Sequence, residues 1–149
     1  MIAITLPDGS VKQFNAGITP MGVAISISEG FARNVISASF NDTTIESSTP
    51  LIEDGDLILY TWRDKKGKQA FWHSSAHIMA QALEEMFPGI KLTIGPAIEN
   101  GFYYDIDLAD NTISEKDLKP IEDKMLEIAR GKHVFTLRES SKADALEYY

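Results

Sequence analysis

The 149-residue chain contains no cysteine. Disulfide bridges and thiol catalysis are thereby excluded, together with the usual thiolate ligands of structural zinc. Histidine is scarce, with His73, His77 and His133 the only three. No apolar run approaches the roughly 20 residues of a membrane-spanning helix, and no basic-then-apolar leader opens the chain. The default expectation is a cytoplasmic protein with no membrane partner. An excess of positive charge is missing too. The net charge is −8, with two bases against seven acids in residues 1–62 and twelve against fifteen in residues 63–149. Nonspecific nucleic-acid binding runs on clustered Lys and Arg, so contact with RNA is expected only through a local patch. What remains, 44% hydrophobic and 24% charged residues, is the composition of a soluble globular protein with one medium or two small domains.

The first 62 residues read as a closed unit. Residues 2–6 and 11–14 suit short strands joined by the turn Pro7-Asp8-Gly9-Ser10. Thr19-Pro20 opens a helix, Thr as cap and Pro at the first helical position. Val23, Ala24 and Ile27 recur at helical spacing, and Gly30 is expected to end the helix in a left-handed conformation. Val35 to Phe40, Thr44-Ile45 and Leu57 to Trp62 return to strand, with turns at Asn41-Asp42 and Glu53-Asp54-Gly55-Asp56. Strand, strand, helix, strand, strand is a β-grasp order.

Residues 63–70, with Lys65, Lys66 and Lys68, have no apolar period and read as a polar linker. After it, Trp72, Ala76, Met79, Leu83 and Met86 mark a helix that Phe87-Pro88-Gly89 stops. Ile90 to Ile94 and Phe102 to Leu108 suit strands. Leu118, Ile121, Met125 and Ile128 form the expected buried stripe of a further helix. Pro120 interrupts that pattern, so the helix either kinks or begins near Lys119. Val134 to Leu137 is an expected strand, and Ser141 caps a last helix to Tyr149. That helix stops while still apolar and aromatic, which is expected of a truncated domain.

His73 and His77 are the candidate chemistry. Four residues apart on one helix, they share a face, about 120° from the middle of the apolar stripe. Such a pair can serve as base and acid, position a water, or bind a metal. Spacing alone favours chance. Ser74 follows the first histidine where the zinc-protease signature needs Glu, and no third ligand is evident.

The neighbouring motifs supply a context. The run His73-Ser74-Ser75-Ala76-His77, with Ala82-Leu83, resembles the first motif of the editing domain of threonyl- and alanyl-tRNA synthetases. Ile94 to Asp105, containing Gly95-Pro96 and Gly101-Phe102-Tyr103-Tyr104-Asp105, resembles the threonyl version. Ile4 to Ser10 and Leu51 to Leu57 resemble a TGS domain, which opens bacterial-type threonyl-tRNA synthetases. Three motifs in the family's order cover nearly the whole chain. The resemblance implies an α+β chain: a β-grasp TGS domain at 1–62, a linker at 63–70, and the first part of an α+β editing domain at 71–149.

The implied parent joins threonine to its tRNA using ATP with Mg, carries Zn in a catalytic core absent from this chain, and is a homodimer. Its partners are threonine tRNA, whose 3′ end enters the editing domain, and the remainder of the synthetase. No cofactor and no metal are expected in this chain. The resemblance assigns His73 and His77 to hydrolysis of mischarged seryl-tRNA; Tyr104 and Asp105 are candidates for substrate binding, Tyr104 equally a strand aromatic of the core and Asp105 equally a histidine-orienting or a plain exposed residue. Gly95 and Gly101 read as turn residues and His133 as structural. The family's second editing motif, Cys-x-x-x-His, has no counterpart in a chain without cysteine, so activity of this piece alone is not expected. Two other classes remain: a TGS-type ligand- or partner-binding regulatory module, and a stand-alone metal-dependent deacylase.

Overall fold

A computed structural model describes residues 1–133 and 139–148. β1 (Ile2–Thr5), β2 (Val11–Phe14), β3 (Val35–Phe40), β4 (Thr43–Ile45) and β5 (Gly55–Thr61) form one sheet in the order β2-β1-β5-β3-β4. β1 and β5 pair in parallel, and the other neighbours are antiparallel. Asn41 and Asp42 both take positive φ, which gives the β3–β4 hairpin a turn matching strand twist. Alternation then sorts the side chains of the central strands. Ala38 and Leu57 enter a core with Ile2, Ile4, Val23 and Leu51, and Phe40 and Leu59 pack against it. Ser37 and Ser39, opposite Tyr60 and Ile58, fall on the other face.

Helix α1 (Pro20–Ile27) covers the core side, capped by Thr19 accepting from Gly22 N at 3.0 Å. Gly30 does not end it. α1 breaks at Ser28, whose extended backbone lets its hydroxyl cap the next short helix, α2 (Glu29–Ala32), by accepting from Phe31 N at 3.0 Å. Gly30 lies inside α2.

The polar stretch expected as a linker is helical from Lys65 onward. It opens α3 (Lys65–Met86), a single 22-residue helix that carries both histidines. The cause is local. The Asp64 carboxylate accepts from Thr61 N at 2.7 Å and Thr61 Oγ1 at 2.9 Å, closing a turn directly off β5. Gly67 is buried, and a Cβ there would overlap the Thr61 carbonyl oxygen. Lys66 and Lys68 rest over the rings of Tyr60 and Trp62 at 5.3 and 5.8 Å. Sequence periodicity is blind to these contacts, because none of them is apolar.

Beyond α3 the strands are shorter than expected. β6 (Lys91–Leu92) pairs β9 (Ile106–Asp107), and β7 (Ala97–Ile98) pairs β8 (Gly101–Phe102). Helix α4 (Glu115–Arg130) begins before Pro120, not after it. Ser114 and Asp117 form a reciprocal capping box that fixes its first turn despite the proline. Ile121 and Ile128 are buried, and Met125 packs with Met79, Leu83, Met86 and Ile90 in a second core. Leu118, expected in that stripe, is 59% exposed. The expected strand Val134 to Leu137 lies outside the described residues. The last helix, α5 (Lys142–Tyr148), has no buried residue.

Gly67→Ala should lift the start of α3 off β5. We expect a loss of about 1–3 kcal/mol of stability and faster tryptic cleavage at Lys65, Lys66 and Lys68. Thermal denaturation and limited proteolysis check both.

Candidate functional site

α3 sits between two environments. Met79, Leu83 and Met86 face the second core. Ala70, His73, Ser74 and His77 recur at helical spacing on another face and line a groove of about 570 Å³. Its opposite wall is the β3–β4 end of the first sheet: Ile36 and Ser37 of β3, Thr44 and Ile45 of β4, and the following Glu46, Ser47 and Ser48. The loop is held by Thr49 N donating to Glu46 O at 3.1 Å and Met21 N donating to Ser47 O at 2.9 Å.

The structure joins the two histidines directly. His73 Nε2 and His77 Nε2 are 3.1 Å apart, with ring centroids at 4.6 Å and planes at 85°. One Nε2 must donate and the other must accept. With both rings neutral, they hold opposite tautomers. The donor ring keeps an unprotonated Nδ1, and the acceptor ring carries its proton on Nδ1. The pair thus offers one basic and one acidic nitrogen beyond its own bond, on exposed side chains at a groove mouth. That combination can take a proton from a water and return one to a leaving oxygen.

Tyr104 and Asp105 are not brought to this groove. The half-buried Tyr104 ring packs over Gly95, where a Cβ would overlap it. Gly95 is thus a packing position more than a turn residue. Asp105 is exposed and engages Thr93 and Ile94 through its backbone: its carbonyl accepts from Thr93 Oγ1 at 2.7 Å, and its N–H donates to Ile94 O at 2.9 Å. It orients neither histidine. Gly101 is a turn residue, with φ 144. His133 is exposed, not a core histidine, and lines a smaller groove of about 320 Å³ with His77, Ile128 and Lys132.

Among the described residues no group of three or more His, Cys, Asp or Glu is arranged to hold a metal ion. The histidine pair does not fit the three or four ligands of a zinc site. No helix among the described residues is long and apolar enough to cross a membrane. What sequence reading missed is the sheet wall of the groove. The polar members Ser37 and Ser39 of β3 signal a second sheet face, but only the docking of α3 shows what covers it.

The position of α4 is tied to α3 by Lys124 Nζ and Glu85 Oε2 at 2.8 Å. This bond to Lys124, with a second from Gln81, holds the Glu85 carboxyl below its ordinary range. Bonds to Glu85 and Glu127 hold the Lys124 ammonium above its own. A lowered carboxyl contributes stability above its unfolded value and loses it as pH falls through the folded one. A raised ammonium contributes below its unfolded value and loses it as pH rises through the folded one. Both contributions are in place at neutral pH. Acidification through the carboxylate range should lower the thermal midpoint, and Glu85→Gln should make that fall shallower, as measured by melting against pH.

Comparison with known proteins agrees with this architecture. Residues 2–59 match the TGS domain family. Over all 149 residues the chain is 69% identical to the threonine–tRNA ligase of Flavobacterium johnsoniae, 66% to that of Flavobacterium psychrophilum and 51% to that of Cytophaga hutchinsonii. The chain spans 23% of the length of each of these relatives. Residues 2–59 thus carry a TGS domain, and the whole chain is similar to a part of threonine–tRNA ligases.

Proposed function

We propose that this chain contributes the histidine wall of a hydrolytic editing site to a threonine–tRNA ligase that removes serine attached by mistake to threonine tRNA. The observation that carries the reading is the bonded His73–His77 pair at the mouth of a groove. The threonine–tRNA ligases that the chain resembles supply the substrate context.

The need for such a site is energetic. Serine lacks one methyl of threonine, and a missing methylene-sized group is worth only about 1–3 kcal/mol of discrimination. A second, hydrolytic site multiplies the selectivity. At the groove, the unprotonated Nδ1 of the donor histidine accepts a proton from water. The water oxygen attacks the ester carbonyl, and the carbon–oxygen bond to the tRNA 3′ ribose breaks. The departing oxygen takes a proton, leaving free serine and intact tRNA. His73 positions the water, and His77 fixes the tautomer of its neighbour.

The full-length ligase attaches threonine with ATP and Mg, and its zinc belongs to a catalytic core outside this chain. It works as a homodimer on threonine tRNA. Residues 1–62 act as the TGS unit and 71–149 as part of the editing unit, α3 running continuously across the 63–70 join. Tyr104 and Asp105, away from the groove, contribute to substrate only where further chain brings it to them. The editing motif Cys-x-x-x-His, which this chain lacks, completes the pocket.

The chain alone should therefore not deacylate seryl-tRNA at a useful rate, since half a pocket cannot position ester and water together. In the full-length ligase, His73→Ala should slow deacylation of preformed seryl-tRNA by about 100-fold or more. Threonine charging should be unchanged. Clearance at the wild-type rate by that variant contradicts the reading.

A further inference from the structure

The join between β5 and α3 concentrates positive charge and leaves it unpaired. Arg63, Lys65, Lys66 and Lys68 are four of the 14 bases in a chain of net charge −8, and they fall within one short stretch. None of them forms an ion pair among the described residues. On α4, by contrast, Lys119 is paired with Glu122 and Asp123, and Lys124 with Glu85 and Glu127. The acid inside the cluster is already engaged, its Asp64 carboxylate accepting from Thr61 N and Oγ1. The first turn of α3 carries no acidic residue. Its lysines therefore repel one another and oppose the helix dipole. A bound anion relieves both.

The cluster is built into a groove of about 620 Å³. Arg63, Lys65, Lys68 and Gln69 line one side, and the β7–β8 turn with Glu99 and Asn100 lines the other. Three bases face one carboxylate, and two side-chain amides add hydrogen-bond donors. Arg63, Lys65 and Gln69 are exposed. Lys68 is half-buried, with its ammonium 5.8 Å from the centre of the Trp62 ring. Trp62 is itself held edge-on by Phe71 at 5.1 Å and Trp72 at 5.4 Å. The ring cluster thus pre-orders that ammonium and lowers the entropy cost of fixing it on binding. This groove shares no lining residue with the histidine groove. Lys65 lies about 12 Å before His73 along α3.

We infer that this groove is a contact surface for the sugar–phosphate backbone of tRNA, with Arg63 and Lys65 pairing with phosphate oxygens and Lys68, held on Trp62, as the third charge. A guanidinium fork, flexible ammonium groups and amide donors recognise phosphate oxygens without reading bases. The chain is acidic overall, so attraction to RNA has to come from a local cluster of unpaired bases. The ligases that the chain resembles act on such a polyanion. The inference goes beyond the editing reading and does not depend on the histidine pair: this surface holds the RNA, not the ester. The segment that reads as a polar linker is then a binding surface, held rigid by the Asp64 turn and the aromatic cluster.

The test uses the full-length ligase and uncharged threonine tRNA, with the dissociation constant measured across a series of salt concentrations. The variants are the double Arg63→Gln/Lys65→Gln, the single Lys68→Gln, and Lys12→Gln on the edge strand β2, outside the groove. The double variant should bind tRNA about tenfold more weakly at ~0.1 M salt, and its slope of log affinity against log salt should be shallower by about 1.4–1.8. Lys68→Gln should make the slope shallower by about 0.7–0.9. Lys12→Gln should keep the wild-type slope. The thermal midpoint of the double variant should not fall, because neither side chain makes an ion pair. Wild-type affinity and slope in the double variant overturn the inference. So does an equal loss of slope in Lys12→Gln, which would make the effect one of overall charge. A lowered midpoint with an unchanged slope also overturns it, and assigns the cluster to contact with the rest of the ligase. Full seryl-tRNA hydrolysis by His73→Ala overturns the editing reading, while the salt slopes decide this one separately.

Discussion

The contact between Gly67 and the Thr61 carbonyl decides where the chemistry of this chain sits. β5 ends at Thr61, Asp64 closes the turn on its backbone and hydroxyl, and α3 starts at Lys65. The helix leaves the sheet at a fixed distance and angle because nothing larger than hydrogen fits at Gly67. Small residues continue the theme, with Ala70 and Ser74 on the groove side and Ala76 and Ala80 buried. Two turns of helix past the contact, His73 and His77 face the sheet across open space. A bulkier contact would widen the groove, and a flexible join would leave it undefined.

The histidine pair follows from that placement together with helical geometry. Side chains four apart meet on one face, and here their Nε2 atoms meet at hydrogen-bond distance. The bond makes the two rings unequal although both are exposed. With both rings neutral, one offers a proton acceptor and the other a donor, without a buried carboxylate to set the tautomers. Asp105 is held elsewhere by its own backbone bonds to Thr93 and Ile94.

Much of the β-grasp unit was legible in the sequence. Turn residues, the Thr19-Pro20 helix start and alternation in Val35 to Phe40 each have a local physical cause, and the sheet carries them as expected. The histidine face of α3 was legible for the same reason. Non-local contacts hid the rest. The supposed linker is helical because of a carboxylate–hydroxyl turn and a glycine against a carbonyl, neither of which has a period. Pro120 lies inside α4 because Ser114 and Asp117 cap it upstream. Ser37 and Glu46 reach the histidines only through the docking of α3 on the sheet, some 30 residues away in sequence from one wall to the other.

The most direct measurement of the central claim is nitrogen NMR of the imidazole rings at neutral pH. The account predicts that His73 and His77 show opposite tautomers, one protonated at Nε2 and the other at Nδ1, with a coupling across the bond between their Nε2 atoms. Two rings of the same tautomer, or two rings averaging independently between tautomers as a free surface histidine does, would contradict it.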